Sequence, residues 1–141
     1  MNILVSACLL GVACRYDGKS KGVSKIENLL KNHTLIPICP EQLGGLPTPR
    51  FPSEKLNEKV INNKGIDVTL EYRKGAEEAL KIAKLFNCKI AILKAKSPSC
   101  GFGKIYDGSF SKTLTDGNGV TAQLLLENGI EVFTEDTFCE L

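Results

Sequence analysis

Three of the six cysteines stand just past short apolar runs: Cys8 follows Ile3-Leu4-Val5-Ser6-Ala7, Cys39 follows Leu35-Ile36-Pro37-Ile38, and Cys100 follows Ile92-Leu93-Lys94-Ala95-Lys96-Ser97-Pro98-Ser99. A cysteine thiolate is a soft metal ligand and a nucleophile, so zinc, iron–sulfur or covalent sulfur chemistry is open to such a set. The spacing is irregular and contains no C-x-x-C, so neither a zinc knuckle nor a ferredoxin-type run is encoded locally. The fold must bring the sulfurs together. Glycine or proline flanks each one, in Cys8-Leu9-Leu10-Gly11, Cys39-Pro40-Glu41-Gln42-Leu43-Gly44-Gly45 and Ser97-Pro98-Ser99-Cys100-Gly101, and such residues let backbone N–H groups approach a sulfur or an anion closely. A single free cysteine is most often a small buried hydrophobe. Core packing gives no reason, however, for three of them to choose strand ends. Cys88, at the opposite end of its run, and Cys139, in the tail, fit that plain reading, whereas Cys14 is open between a spare ligand, a persulfide carrier and a surface thiol.

Positioning falls to four apolar runs rich in Ile, Leu and Val, at 3–7, 34–38, 89–94 and 130–134, which are predicted strands. Helical periodicity fills the gaps at 23–32, 68–86 and 120–128. The resulting β-α-β-α-β-α-β order predicts a three-layer, doubly wound, Rossmann-like α/β fold. It should contain a mostly parallel sheet of about four to five strands with helices on both faces. In such a sheet every strand's carboxyl end reaches one edge, where ligands bind. Asn87 and Asn128-Gly129 read as helix stops, Asp116-Gly117-Asn118-Gly119 as the turn into the last helix, and Ser24 with Glu27 as a capping box. Residues 44–63, with Pro47, Pro49 and Pro52, are expected to form a long ordered loop at the sheet end.

The 141 residues are expected to form one domain, 1–141, and the 43% hydrophobic and 24% charged composition excludes a disordered or fibrous chain. A formal charge of +2 gives no whole-molecule field toward nucleic acid or anionic lipid, so any basic site must be local. The first residues carry no basic leader and no membrane-length apolar stretch, so a cytoplasmic location with reduced thiols and no membrane partner is expected.

Together, Val5-Ser6-Ala7-Cys8-Leu9-Leu10-Gly11, Cys14-Arg15-Tyr16-Asp17-Gly18, the run from Cys39 through Gly44-Gly45-Leu46-Pro47-Thr48-Pro49-Arg50, Ser97-Pro98-Ser99-Cys100-Gly101 and Ile105-Tyr106-Asp107-Gly108-Ser109-Phe110 resemble the bacterial thiouracil desulfidase family nearly end to end. That resemblance implies a 4Fe-4S cluster held by three cysteines, by motif Cys8, Cys39 and Cys100. One iron is left open to take sulfur from a thiolated uracil. The implied step is hydrolytic with no net redox change, and it needs a general base as well as a sulfur acceptor. Glu41, two residues after Cys39, is expected to be the base, against the plainer reading of a solvated loop carboxylate. Ser97 or Ser99 is expected to position the ring or the water.

Arg15 and Arg50 are the expected holders of a substrate phosphate, ahead of Lys19, Lys21, Lys94 and Lys96. Asp17 and Asp107, each in a Tyr-Asp-Gly triplet, read as turn residues, and His33 as a capping or surface residue. A small thiolated pyrimidine is the expected partner. The near-neutral charge speaks against RNA. Two alternatives keep the same cysteines: a zinc hydrolase with a metal-bound water, and a non-catalytic sulfur or cluster carrier. A nucleotide-binding module is the weakest rival, because neither G-x-G-x-x-G nor G-x-x-x-x-G-K-[ST] occurs.

Overall fold

The computed structural model describes residues 1–20 and 22–139; Lys21, one of the cations considered above, lies outside them. In chain order come β1 (Asn2–Ser6), a 3-10 turn (Ala7–Leu10), α1 (Ser24–Glu27), a second 3-10 turn (Asn28–Lys31), β2 (Thr34–Ile38) and α2 (Pro40–Leu43). Then follow β3 (Ser53–Leu56), β4 (Lys59–Asn62), α3 (Thr69–Leu85), β5 (Ile90–Leu93), β6 (Lys104–Tyr106), β7 (Leu114–Asp116), α4 (Val120–Glu127) and β8 (Glu131–Thr134).

Four strands pair in parallel in the order β2-β1-β5-β8, in registers that include Ser6 with Ile38, Val5 with Ile92 and Leu93 with Thr134. Successive side chains of a strand point to opposite faces. Ile3, Val5, Ile90 and Ile92 accordingly pack with Ile26, Leu29 and Phe138 on one side, while Leu4, Ala91 and Leu93 pack with Ala79, Ala83, Ala122 and Leu125 of α3 and α4 on the other. The central strands β1 and β5 are buried on both faces, which is why they are apolar without alternation, while the edge strands β2 and β8 keep exposed positions. The chain crosses from β1 outward to β2 and then returns past β1 to β5. The reversal between β1 and β5 is a topological switch point of the kind at which open α/β sheets bind ligands.

Several local expectations are corrected. The helix expected over 23–32 divides into α1 and a 3-10 turn, which sets the buried Ile26 and Leu29, three residues apart, in line toward the sheet. The capping box does not form: Val23 is the N-cap and no side chain caps the helix, so Ser24 is already inside it. Residues 44–63, expected as one long ordered loop, instead carry the antiparallel β3–β4 hairpin, turned by Asn57-Glu58 with Asn57 at φ 56°. A second hairpin, β6–β7, follows β5. Both hairpins leave from the carboxyl edge of the sheet. No helix among the described residues is long and apolar enough to cross a membrane.

α3 presses on the residues that follow β2 through paired glycines. A Cβ on Gly75 would stand 1.9 Å from the Pro40 carbonyl oxygen, and one on Gly44 would stand 1.9 Å from that of Glu71. Glycine to alanine inside a helix ordinarily gains about 1 kcal/mol. Here the sign should reverse: Gly75→Ala drives a methyl into the backbone beside Cys39 and should cost about 1–3 kcal/mol, read as a lower denaturant midpoint. A raised midpoint would contradict this packing.

Candidate active site

Each strand that ends at the switch point delivers a cysteine. Cys8 lies in the 3-10 turn after β1, which closes at Gly11 with a left-handed φ of 90°. Cys39 is the N-cap residue of α2 after β2. Cys100 follows β5 on a tight turn where the Ser97 carbonyl accepts the Gly101 N–H at 2.9 Å. Together with Cys14, all three line one cavity of about 490 Å³, within the roughly 300–1,000 Å³ of small-molecule sites. None of the six cysteines is in a disulfide. Among the described residues, no set of three or more His, Cys, Asp or Glu side chains converges as a single metal ion requires; the thiols stand around a space.

Cys14 is not a surface thiol. It is buried, and its backbone carbonyl accepts a hydrogen bond from the Cys39 thiol at 3.7 Å. Interaction with the Cys39 side chain acts to lower the Cys14 pKa, but interaction with Cys8 and burial outweigh it and the net shift is upward. Cys39 is raised chiefly by its contact with Cys14 and then by burial. Burial pushes the Cys100 thiol up to about 12, opposed by a hydrogen bond from Ser6. Without a cation in the cavity these sulfurs therefore hold their protons, and a bound metal centre must displace them.

Glu41 and Arg50 form a partly buried ion pair on the cavity wall, with Arg50 Nε donating to Glu41 Oε2 at 2.6 Å and Nη2 also in contact with that oxygen. Nη1 donates to the Pro47 carbonyl at 3.2 Å and to Thr48 Oγ1 at 3.0 Å, and Nη2 donates to the Cys14 carbonyl at 3.0 Å. These contacts engage all three guanidinium nitrogens, through four hydrogen bonds and the ion pair. Arg50, expected to hold a phosphate, instead ties the Cys14 loop to the segment after Cys39. Both its contacts with Glu41 fall on Oε2, so Oε1 is free of Arg50. Tyr72 lines the same cavity, and burial followed by the Glu41 charge raises its pKa.

The two serines separate. Ser97 lines the cavity, and its Oγ accepts the Cys100 N–H at 2.6 Å and the Ser99 N–H at 3.2 Å. Ser99 is not on the cavity wall: its buried hydroxyl pairs with Thr121 Oγ1 of α4 at 2.9 Å. Its place ties the residue before Cys100 to that helix rather than to a substrate. Arg15 lines the cavity, its guanidinium 6.0 Å from the Tyr16 ring centre. Lys94 is tied to Glu135 at 2.8 Å, Lys96 lines the cavity, and Lys19 is exposed away from it. Asp17 and Asp107 each accept a backbone N–H two residues on, as turn residues do, and His33 meets the Met1 amino group at 3.3 Å.

Two residues have roles that sequence reading missed. Buried Ser6 donates to the Cys100 sulfur at 3.4 Å. Glu54 Oε1 accepts the Gly108 N–H at 3.0 Å and the Phe110 N–H at 3.1 Å, which holds the tip of the β6–β7 hairpin over the cavity with Tyr106 and Phe110 in its wall. Ser6 offered a weak signal, since it lies two residues before Cys8 at a strand's carboxyl end. Glu54 offered none without the hairpins.

Replacing Arg50 by lysine should test the strut. A lysine keeps the charge but supplies three donors without the planar fork. About 1–3 kcal/mol of unfolding free energy should be lost in denaturant melts, on the scale of hydrogen bonds to charged groups; an unchanged melt would remove the strut.

A family model for 2-thiouracil desulfurase matches residues 3–137. The uncharacterized protein YbbK of Bacillus subtilis (strain 168) is 42% identical over 144 residues, 95% of each chain. Among solved structures, the [4Fe-4S]-dependent thiouracil desulfidase TudS superposes with a TM-score of 0.92 at 47% identity, over 96% of this chain and 91% of its own.

Proposed function

This chain belongs to the 2-thiouracil desulfurase family, and from that premise we propose that it is a 4Fe-4S-dependent desulfidase that removes sulfur hydrolytically from a thiolated uracil, free or as its nucleotide. Residues 1–141 act as one unit in this reading. The observation that carries it is the single cavity on which Cys8, Cys39 and Cys100 open beside the Glu41 carboxylate.

The donor set suits the cofactor: free, soft thiols ring a space of small-molecule size, and thiolates are the usual ligands of iron–sulfur clusters. Cys8, Cys39 and Cys100 would hold it. A cluster bound by three thiolates supplies an iron without a protein ligand, a soft Lewis acid for the departing sulfur.

The chain's own groups supply the rest. Arg50 keeps Glu41 beside a fixed positive charge, and Glu41 Oε1, which Arg50 leaves free, takes the proton from the attacking water. Ser97 spends its oxygen lone pairs on two backbone N–H groups, so its own hydrogen is available to donate to the ring or the water. Tyr106 and Phe110, held by Glu54, form an apolar wall for a flat pyrimidine. With Arg50 committed internally, Arg15 at the wall is the guanidinium left for a nucleotide phosphate, with Lys96 and Lys112 on the same cavity. A carboxylate, a donor hydroxyl and a ring-sized space favour turnover over simple carriage of sulfur.

Anaerobic reconstitution followed by sulfide-release assays on 2- and 4-thiouracil and their nucleotides tests the reading. Cys8→Ser, Cys39→Ser and Cys100→Ser should each lose the brown chromophore, and Cys88→Ser and Cys139→Ser should keep it. Retention across the first group would end the ligand assignment. Glu41→Gln should fold with a lowered melting point, because Arg50 loses its counter-charge. It should bind the cluster and lose about 10²–10⁴-fold in turnover. Full turnover would exclude Glu41 as the base.

A further inference from the structure

The β1–β5 ladder runs through Ile3 with Ile90, Leu4 with Ala91 and Val5 with Ile92, and there it stops. Just beyond, the Lys94 backbone N–H donates to the Ser6 side-chain oxygen, at 2.9 Å. The same Oγ lies 3.4 Å from the Cys100 sulfur, and Ser6 is buried, so water does not compete for the hydroxyl. A serine hydroxyl carries one hydrogen. Its acceptor side is taken by a backbone amide that the sheet fixes, so the hydrogen is directed to the sulfur. Ser99, next to Cys100 in the chain, carries a second hydroxyl, but it pairs with Thr121 Oγ1, where either oxygen can be the donor, so its hydrogen is not committed.

We infer that Ser6 is a positioning residue for the metal centre: its hydroxyl donates a standing hydrogen bond to the Cys100 thiolate, fixing the ligand's orientation and drawing charge from it. The inference rests on the reading of Cys100 as a cluster ligand. A hydrogen bond to a ligating sulfur stabilises the more negative, reduced cluster and so raises its potential. It also leaves less charge on the sulfur to donate to iron, which makes the irons better acceptors for a departing sulfur. Removing an outer-shell partner of a metal ligand commonly costs 10–100-fold in metal retention.

The test uses the anaerobically reconstituted protein with Ser6→Ala, Ser6→Thr, Ser99→Ala and Cys100→Ser. Reduction potential is followed by electron paramagnetic resonance, and cluster loss by bleaching with an iron chelator. Ser6→Ala should shift the potential negative and bleach about 10-fold faster. Ser6→Thr, which restores the hydroxyl, should return both toward wild type, and Ser99→Ala should shift the potential less than Ser6→Ala does. A purely structural tie to Lys94 would lower the melting point of the cluster-free Ser6→Ala protein without moving the potential, and that result would overturn the inference. So would a Ser6→Thr potential as displaced as that of Ser6→Ala. If Cys100→Ser keeps a wild-type cluster spectrum, the ligand set itself has failed and this inference falls with it; if Cys100→Ser loses the cluster while Ser6→Ala keeps the wild-type potential, only the role of Ser6 is lost.

Discussion

The parallel alignment of β2, β1 and β5 is the constraint on which the site depends. In a parallel sheet the hydrogen-bond ladder fixes direction as well as register, so Ser6 beside Ile38 and Val5 beside Ile92 commit three strand ends to one edge. A cysteine follows each end at a different distance: within a 3-10 turn after β1, at a helix N-cap after β2, and on a longer turn after β5. An antiparallel partner at any of these places would send one thiol to the far side of the molecule.

Holding the edge segments still is a second task, and a partly buried ion pair does much of it. Arg50 uses all three of its guanidinium nitrogens to join the Cys14 carbonyl, the Pro47–Thr48 turn and Glu41. Such a pair is costly to desolvate, and its net contribution to stability is small or negative compared with an apolar replacement. Its value lies in geometry, because it fixes a carboxylate at the wall of the cavity with one oxygen to spare. The glycine contacts between α2 and α3 serve the same end from below, by seating the residue after Cys39 directly on a helix backbone.

The sheet was legible because its central strands are buried on both faces and so appear as unbroken apolar runs; at its edge, the Thr34–Ile38 strand has the very bounds expected from sequence. The two hairpins were hidden because their strands are three or four residues long and mostly half-buried or exposed, with Val60 and Ile105 as buried apolar anchors. Among candidate residues, cysteine placement relative to strand ends was enough to bring Cys8, Cys39 and Cys100 to one cavity, since topology alone decides that. The direction in which a side chain spends its hydrogen bonds was not readable. Arg50 looked like an anion holder and is an internal strut, Ser99 faces α4, and Ser6 passed as an ordinary strand residue. Each of these outcomes turns on a partner distant in sequence, Cys14 for Arg50, Thr121 for Ser99 and Cys100 for Ser6.

Mössbauer spectroscopy of the iron-reconstituted protein tests the central proposal most directly, because it distinguishes irons by their ligands. The proposed three-thiolate site predicts a 4Fe-4S spectrum in which one iron differs from the rest and changes when a thiolated uracil is added. A protein that takes up zinc in place of a cluster, or a cluster whose irons are all alike and indifferent to the thiolated base, would contradict it.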